Sequence, residues 1–171
     1  MKDTNKYPIE FSYRVADNFY AGEYPFKRIV EEGLPKLQSL LDFGIKHFID
    51  LTEPHDRLTS YSEHLPQDIE YTRFPTVDMT VPNLNDLQKI HEIASKSEVP
   101  VYVHCKGGFD RTGVTVATFF VFEGGTAEQA KRMYVQTVPN RIRTRYGSFY
   151  LPLIERTRYA ALKKYEQFLK Q

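Results

Sequence analysis

Apolar and polar residues alternate through Ile9, Phe11, Tyr13 and Val15, the period of a strand with one buried face. A second short strand is predicted over residues 18–21, closed by Gly22 and Pro25. Leu34, Leu37, Leu40 and Leu41 recur at helical spacing, and Gly44 stops that helix. Residues 45–51, rich in β-branched and aromatic side chains, read as a core strand. Residues 52–67 are polar and broken by Pro54 and Pro66, which predicts a loop with room for one helical turn. Residues 69–74 then predict a strand at or near a sheet edge, and residues 75–82 an irregular stretch between prolines. Asn83 can cap a helix whose apolar face is Leu84, Leu87, Ile90, Ile93 and Ala94.

The apolar run Val99 to Val103 predicts another strand, and residues 114–122, apolar nearly all round, a buried central helix ended by Gly124 and Gly125. Thr126 and Gln129 frame a capping box for the next helix, which turns Ala130, Met133 and Tyr134 inward and ends at Val138-Pro139. A last helix is predicted over residues 148–169, with Pro152 tolerated in its first turn. Strands early and in the middle, with helices between and after them, predict an α/β or α+β fold in one domain over residues 1–171.

Between the strand ending at Val103 and the buried helix lies His104-Cys105-Lys106-Gly107-Gly108-Phe109-Asp110-Arg111-Thr112-Gly113, which carries the only cysteine of the chain. A loop that curls from a strand into a helix N-terminus points backbone N–H groups inward and makes an anion cradle. Cys105 would stand at its floor and Arg111 at its rim, so that a thiolate faces a bound phosphate. The helix N-terminus and Arg111 both favour that thiolate. The planar fork of Arg111 suits two phosphoryl oxygens at once, with the amides of residues 106–111 holding the rest.

This stretch resembles the cysteine-dependent phosphatases, whose pattern H-C-x-x-G-x-x-R-[S/T]-G is met at His104, Cys105, Gly108, Arg111, Thr112 and Gly113. The opening, Asn18 to Pro25, is similar to that of small atypical dual-specificity phosphatases, and the resemblance runs from about Phe11 to the final helix. It implies a central, mostly parallel sheet of four to five strands flanked by helices. It also implies a phosphomonoester hydrolase working through a cysteinyl-phosphate, of the dual-specificity or tyrosine type.

Cys105 is then the nucleophile and Arg111 the phosphate ligand. His104 bonds the loop backbone and steadies the thiolate, and the Thr112 hydroxyl stabilises the departing sulfur. Asp78, 27 positions before Cys105 in the proline-bracketed stretch, is the general acid. Substrate would be bound by Lys106, Gly107, Gly108, Phe109, Asp110 and Arg111.

Asp110 is unusual inside an anion cradle. It is read as an outward cap for the following helix. The alternative is an inward role, since myotubularins and Sac-domain phosphoinositide phosphatases also carry Asp just before the cradle Arg. Lys106 is similarly placed in the tensin-homology lipid phosphatases, whose second loop lysine is here Phe109. The glutamine that places water in related enzymes has no counterpart in Thr144 to Ser148, while Arg141, Arg143 and Arg145 offer a site for a second phosphate. Rival readings are therefore a phosphoinositide or inositol-phosphate phosphatase, an RNA 5′-triphosphatase, or a non-catalytic phosphate-binding pseudophosphatase. Asp78 argues against the second, because such capping-type enzymes generally lack the loop aspartate. Intact Cys105, Arg111 and Asp78 argue against the third.

Composition and charge change this picture little. The net charge is +1, but residues 1–99 hold 11 Lys/Arg against 17 Asp/Glu and residues 100–171 hold 12 against 5, so the half with the cradle is basic and favours an anionic substrate. His55, His64, His47 and His91 have no metal-ligand spacing and are read as surface residues. No metal or cofactor is expected, Arg111 and the amides taking the place of Mg²⁺. The N-terminus lacks an apolar signal core, and no apolar run approaches the ~20 residues of a membrane span. A single free thiol suits a reducing, cytoplasmic setting. The expected partner is a phosphorylated protein or other phosphomonoester, not nucleic acid.

Overall fold

The computed structural model describes residues 7–140 and 151–171, with the side chains of residues 151–157 outside the description. The hairpin opens the sheet. Strand β1 (Ser12–Ala16) pairs antiparallel with β2 (Phe19–Gly22), and the turn between them uses Asn18 at φ 54°. Asn tolerates that left-handed conformation because its short amide can bond locally.

Strands β3 (His47–Asp50), β4 (Glu70–Arg73) and β5 (Val101–His104) are parallel to β2, giving the order β1-β2-β5-β3-β4. This five-stranded sheet, parallel except for its hairpin, is the predicted architecture, with β4 at the edge as its partly polar sequence required. Every residue of β3 and β5 is buried, which is why neither alternates in polarity.

Two apolar layers cover the sheet. On one face Phe48 and Tyr102 meet Leu37 and Leu40 of α1 (Val30–Asp42) together with Tyr24, Phe26 and Tyr61. On the other face Ile49, Val101 and Val103 meet Ile90 and Ala94 of α2 (Leu84–Lys96) and Val116 and Ala117 of α3 (Asp110–Phe122). Helices α4 (Ala127–Thr137) and α5 (Leu151–Leu169) pack on α3 and complete that layer. The predicted caps form: the Asn83 side chain accepts from Asp86 N, and Thr126 and Gln129 make a reciprocal capping box.

Three expectations are corrected. The polar loop after β3 holds two 3-10 turns, Pro54–Asp56 and Ser62–His64, and folds back over the sheet to bury Tyr61 completely. Helix α3 begins four residues before the apolar run, at Asp110, so the cradle leads directly into it. Of the four histidines read as surface residues, only His55 is exposed. His47 is buried against Thr72 (Nε2 to Oγ1 2.8 Å), and burial lowers its pKa. His64 stacks on Phe26, and His91 bonds Glu123 at 2.7 Å beside Phe119 and Phe122. Imidazole has enough apolar body to pack, and spacing does not report that.

Candidate active site

Strand β5 is central, and in register its last residue, His104, lies between Gly22 of β2 and Asp50 of β3. Loops leaving the C-terminal ends of adjacent parallel strands converge there, the position where open α/β sheets place ligands. Cys105 follows immediately and is 2% exposed, at the floor of the loop. The loop is drawn close to β2: Tyr24 N donates to Lys106 O at 3.2 Å, and Tyr102 Oη donates to Glu23 O at 2.8 Å. Gly108 makes the approach possible, with φ +69° and room for no Cβ, which would sit 2.3 Å from Gly22 C. The first amide of α3 to donate to the turn below it is that of Gly113, to Phe109 O at 3.1 Å. The amides before it are those a helix N-terminus leaves without intrahelical partners.

Arg111 is 1% exposed and held from several sides. Its Nη1 donates to Asp56 Oδ2 at 2.7 Å and Thr76 O at 3.0 Å, and its Nη2 donates to Asp56 Oδ1 at 2.9 Å. Asp78 Oδ1 lies 3.2 Å from the same Nη2. Burial works against the guanidinium charge, yet Asp56, Cys105 and Asp78 carry its pKa above the ordinary value. Burial alone would raise the Asp56 carboxyl, but hydrogen bonds from Arg111 and the Glu53 amide hold it below the usual carboxylate range.

Arg111 Nε and Thr112 Oγ1 are buried and have no hydrogen-bond partner among the described residues. Two such donors on the residues that close the loop opened by Cys105 are what a bound anion would satisfy. Asp78 itself is 60% exposed, on a turn closed by Thr80 N to Val77 O at 3.1 Å with Met79 at φ 62°. Thr76 N anchors that stretch to Leu51 O at the end of β3, 3.1 Å away. Lys106 is exposed, while Gly107, Gly108 and Phe109 are buried.

His104 is fully buried, and burial pushes its pKa down to about 4, so the imidazole is neutral. Its short contact is with Tyr61, Nε2 to Oη 2.6 Å, and its Nδ1 lies 3.9 Å from Asp50 Oδ1. The ring is thus tied to the folded-back loop through Tyr61 and also meets the backbone of Cys105, the loop contact expected of it. Asp50 beside it accepts from Thr52 N and Oγ1 (2.7 and 2.6 Å) and from Tyr71 Oη (2.7 Å).

Asp110 is not a helix cap. The cap position is Phe109, without a side-chain bond, and Asp110 is the first residue of α3. Its Oδ1 accepts from Arg158 of α5, at 2.5 Å from Nη2 and 3.2 Å from Nε. An arginine within reach outbids weak capping bonds for a carboxylate.

Asp56, Tyr61 and Arg158 are the contacts sequence reasoning missed. Asp56 follows the C-terminal end of the strand adjacent to β5, an adjacency that no local signal in the sequence reports. For Arg158, far along a helix, no local signal existed. Arg141, Arg143, Arg145 and the segment lacking a glutamine lie outside the described residues.

Residues 26–125 match the family model described as "Tc-R-P: Polymorphic toxin system, DSP-PTPase phosphatase". Among curated proteins, protein tyrosine phosphatase domain-containing protein 1 of Mus musculus is 31% identical over 153 residues, 79% of this chain and 20% of the relative. Phosphatidylglycerophosphatase and protein-tyrosine phosphatase 1 of Homo sapiens is 28% identical over 119 residues, 66% of this chain and 56% of the relative. The chain thus spans about a fifth of the first relative and just over half of the second. Of solved structures, PTPMT1 in complex with PI(5)P superimposes with a TM-score of 0.70 at 22% identity, covering 94% of this chain and 97% of that one. Tk-PTP in the active form does so at 0.66 and 18%, covering 98% and 99%; both show the fold. With a family match across more than half of its length, and with the cysteine, arginine and turn in the geometry described, this chain belongs to the DSP-PTPase family of cysteine-dependent phosphatases.

Proposed function

We propose that the protein, as one catalytic domain, hydrolyses phosphomonoesters through a cysteinyl-phosphate, acting on phosphotyrosine or phosphothreonine in proteins. The observation that carries this reading is the state of Arg111: four of its five N–H groups face Asp56, Thr76 O and Asp78, and the fifth, on Nε, is buried without a partner among the described residues, within the electrostatic reach of Cys105. A phosphoryl dianion entering the loop takes Nε–H and shares Nη2–H, which releases Asp78 towards the leaving oxygen. The Cys105 thiolate forms the S–P bond as the P–O bond of the ester breaks, and Asp78 in its acid form supplies the proton to the leaving oxygen. Water then attacks phosphorus, Asp78 takes its proton, and the S–P bond breaks to free phosphate and thiolate. Thr112 Oγ1 stabilises that departing sulfur, and the loop amides of residues 106–111 carry the equatorial oxygens. Neutral His104, tied to Tyr61 and meeting the backbone of Cys105, holds the thiolate-bearing residue in place. The thiol chemistry suits a reducing setting such as the cytoplasm.

A second reading, a phosphatase of phosphorylated lipids, has an observation of its own. Exposed Lys106 stands in the cradle, and the apolar Val77 and Met79, 56% and 50% exposed, flank Asp78 at the site's mouth. Relatives bear names of that kind, among them phosphatidylglycerophosphate phosphatase PTPMT1 of Arabidopsis thaliana.

The test is phosphate release measured side by side from phosphotyrosine peptide, phosphothreonine peptide, phosphoinositide or phosphatidylglycerophosphate vesicles, and triphosphate-ended RNA. Release from the peptides that disappears in Cys105→Ser is expected. Release from lipids alone assigns the second reading, release from RNA alone refutes both, and turnover that survives Cys105→Ser refutes the mechanism.

A further inference from the structure

Asp110 poses an electrostatic problem that the loop alone does not solve. It immediately precedes Arg111, so its carboxylate is carried by the same turn that must receive a dianion. Its side chain is only 16% exposed, and Oδ2 is buried with no hydrogen bond among the described residues. Water therefore screens this charge poorly. At an effective dielectric of about 20, and after screening by salt, a unit charge about 10 Å from a bound dianion changes its affinity by roughly one to two orders of magnitude.

The balancing charge comes from Arg158 in α5. Its Nη2 and Nε both donate to Asp110 Oδ1, at 2.5 and 3.2 Å, and its Nη1 donates to Tyr134 Oη of α4 at 3.1 Å. The guanidinium plane lies 4.8 Å from the ring centre of Phe109, the preceding residue of the cradle. Arg158 is itself 6% exposed. Gly113, one turn into α3, leaves the space: a Cβ there would lie 2.8 Å from the Tyr134 ring and 3.3 Å from Arg158 Nη1. A buried arginine with its fork, its third nitrogen and its face all engaged is a fixed counter-charge, unlike a surface lysine. It also lies outside residues 26–125, the span matching the family model, so the last helix brings it to the loop.

Resting on the phosphatase reading of the cradle, we propose that Arg158 is a positioning residue for phosphate binding: it neutralises and turns aside the Asp110 carboxylate, so that the loop presents net positive charge to a phosphoryl group. The pairing makes the anion site depend on the docking of α5. It explains how an aspartate is tolerated next to the phosphate-binding arginine.

Charge compensation and simple bracing predict opposite signs, which makes the idea testable. Binding of inorganic phosphate is measured by calorimetry on Cys105→Ser protein, so that no turnover is required, with the thermal midpoint of each variant recorded. Arg158→Met is expected to weaken phosphate roughly 10- to 100-fold, and Arg158→Lys only a few-fold. Adding Asp110→Asn to Arg158→Met should restore binding to within roughly threefold of the parent, although it removes a further polar group. Should Arg158→Met fail to fold, Asp110→Asn alone decides. With Arg158 left uncompensated, phosphate should bind roughly 3- to 10-fold tighter, whereas loss of a mere brace would weaken it.

A double variant no better than Arg158→Met, or weaker binding by Asp110→Asn alone, overturns the proposal. With Cys105 intact, KM for the best phosphomonoester should rise in Arg158→Met more than kcat falls. A protein that binds phosphate as predicted but releases none from any ester would instead sink the catalytic reading and leave this one standing.

Discussion

Asp56 meets Arg111 with both oxygens, at 2.7 and 2.9 Å, and is 3% exposed at the side chain, so it decides which edge of the guanidinium is left for substrate. Removing it leaves a buried cation short of its partner and free to swing. Asp56→Ala is expected to lower kcat/KM by roughly 100-fold and stability by about 2 kcal/mol, read from phosphate release and urea melts. An unchanged kcat/KM would show that Thr76 O and the cradle position Arg111 without it. Asp78 is a different case: it is 60% exposed and touches Arg111 at 3.2 Å. Asp78→Asn should leave the urea midpoint in place and slow an alkyl phosphate, with its poor leaving group, far more than an activated aryl phosphate. Asp110→Asn should show no such leaving-group dependence, and the reverse order would move the acid role to Asp110. Of these carboxylates the sequence pattern pointed to Asp78 and flagged Asp110 as odd, while Asp56 passed as loop because nothing local distinguishes a buried aspartate from a turn residue.

Elements were legible where a periodic pattern and a punctuating residue coincide. Leu37 and Leu40 face the core in α1, which ends at Asp42 just before Gly44 at φ 101°, and the capping box of α4 lies where Thr126 and Gln129 put it. The start of α3 was misjudged because Asp110, Arg111, Thr112 and Gly113 carry no apolar stripe. They are helical because the cradle is the first turn of that helix. The segment before it rests on a single glycine. Gly108→Ala would place a methyl 2.3 Å from Gly22 C and 2.5 Å from Glu23 N at a φ of +69°, against backbone that cannot yield. A loss of at least about 2 kcal/mol in urea melts and of phosphate binding is expected. A variant with the parent's stability would mean that the loop relaxes away from β2.

At the scale of the molecule, strand order was the least legible feature, since nothing local says that β5, last in sequence, inserts between β2 and β3. The resemblance implied a mostly parallel sheet but no strand order. That insertion has a consequence for acid stability, because it encloses His104 between both covering layers. Its ring meets Tyr61 at 2.6 Å and lies among Tyr24, Tyr102 and Asp50. Burial takes its pKa down to about 4 despite the opposing charge of Asp50, while the unfolded chain keeps the ordinary value near 6.5. Between those values the unfolded state binds the extra proton, so folding stability rises with pH across this window and is fully present above it. The difference corresponds to about 3 kcal/mol lost as pH falls from 6.5 to 4, and His47, lowered for the same reason, adds in the same direction. Asp56, whose carboxyl is held low, loses its contribution only at still lower pH. Urea midpoints of the parent should therefore drop steeply between pH 6.5 and 4. Those of His104→Gln, starting lower because the bond to Tyr61 is altered, should fall less over the same interval. Parallel curves for the two proteins would show that His104 is not the group whose protonation unfolds the chain.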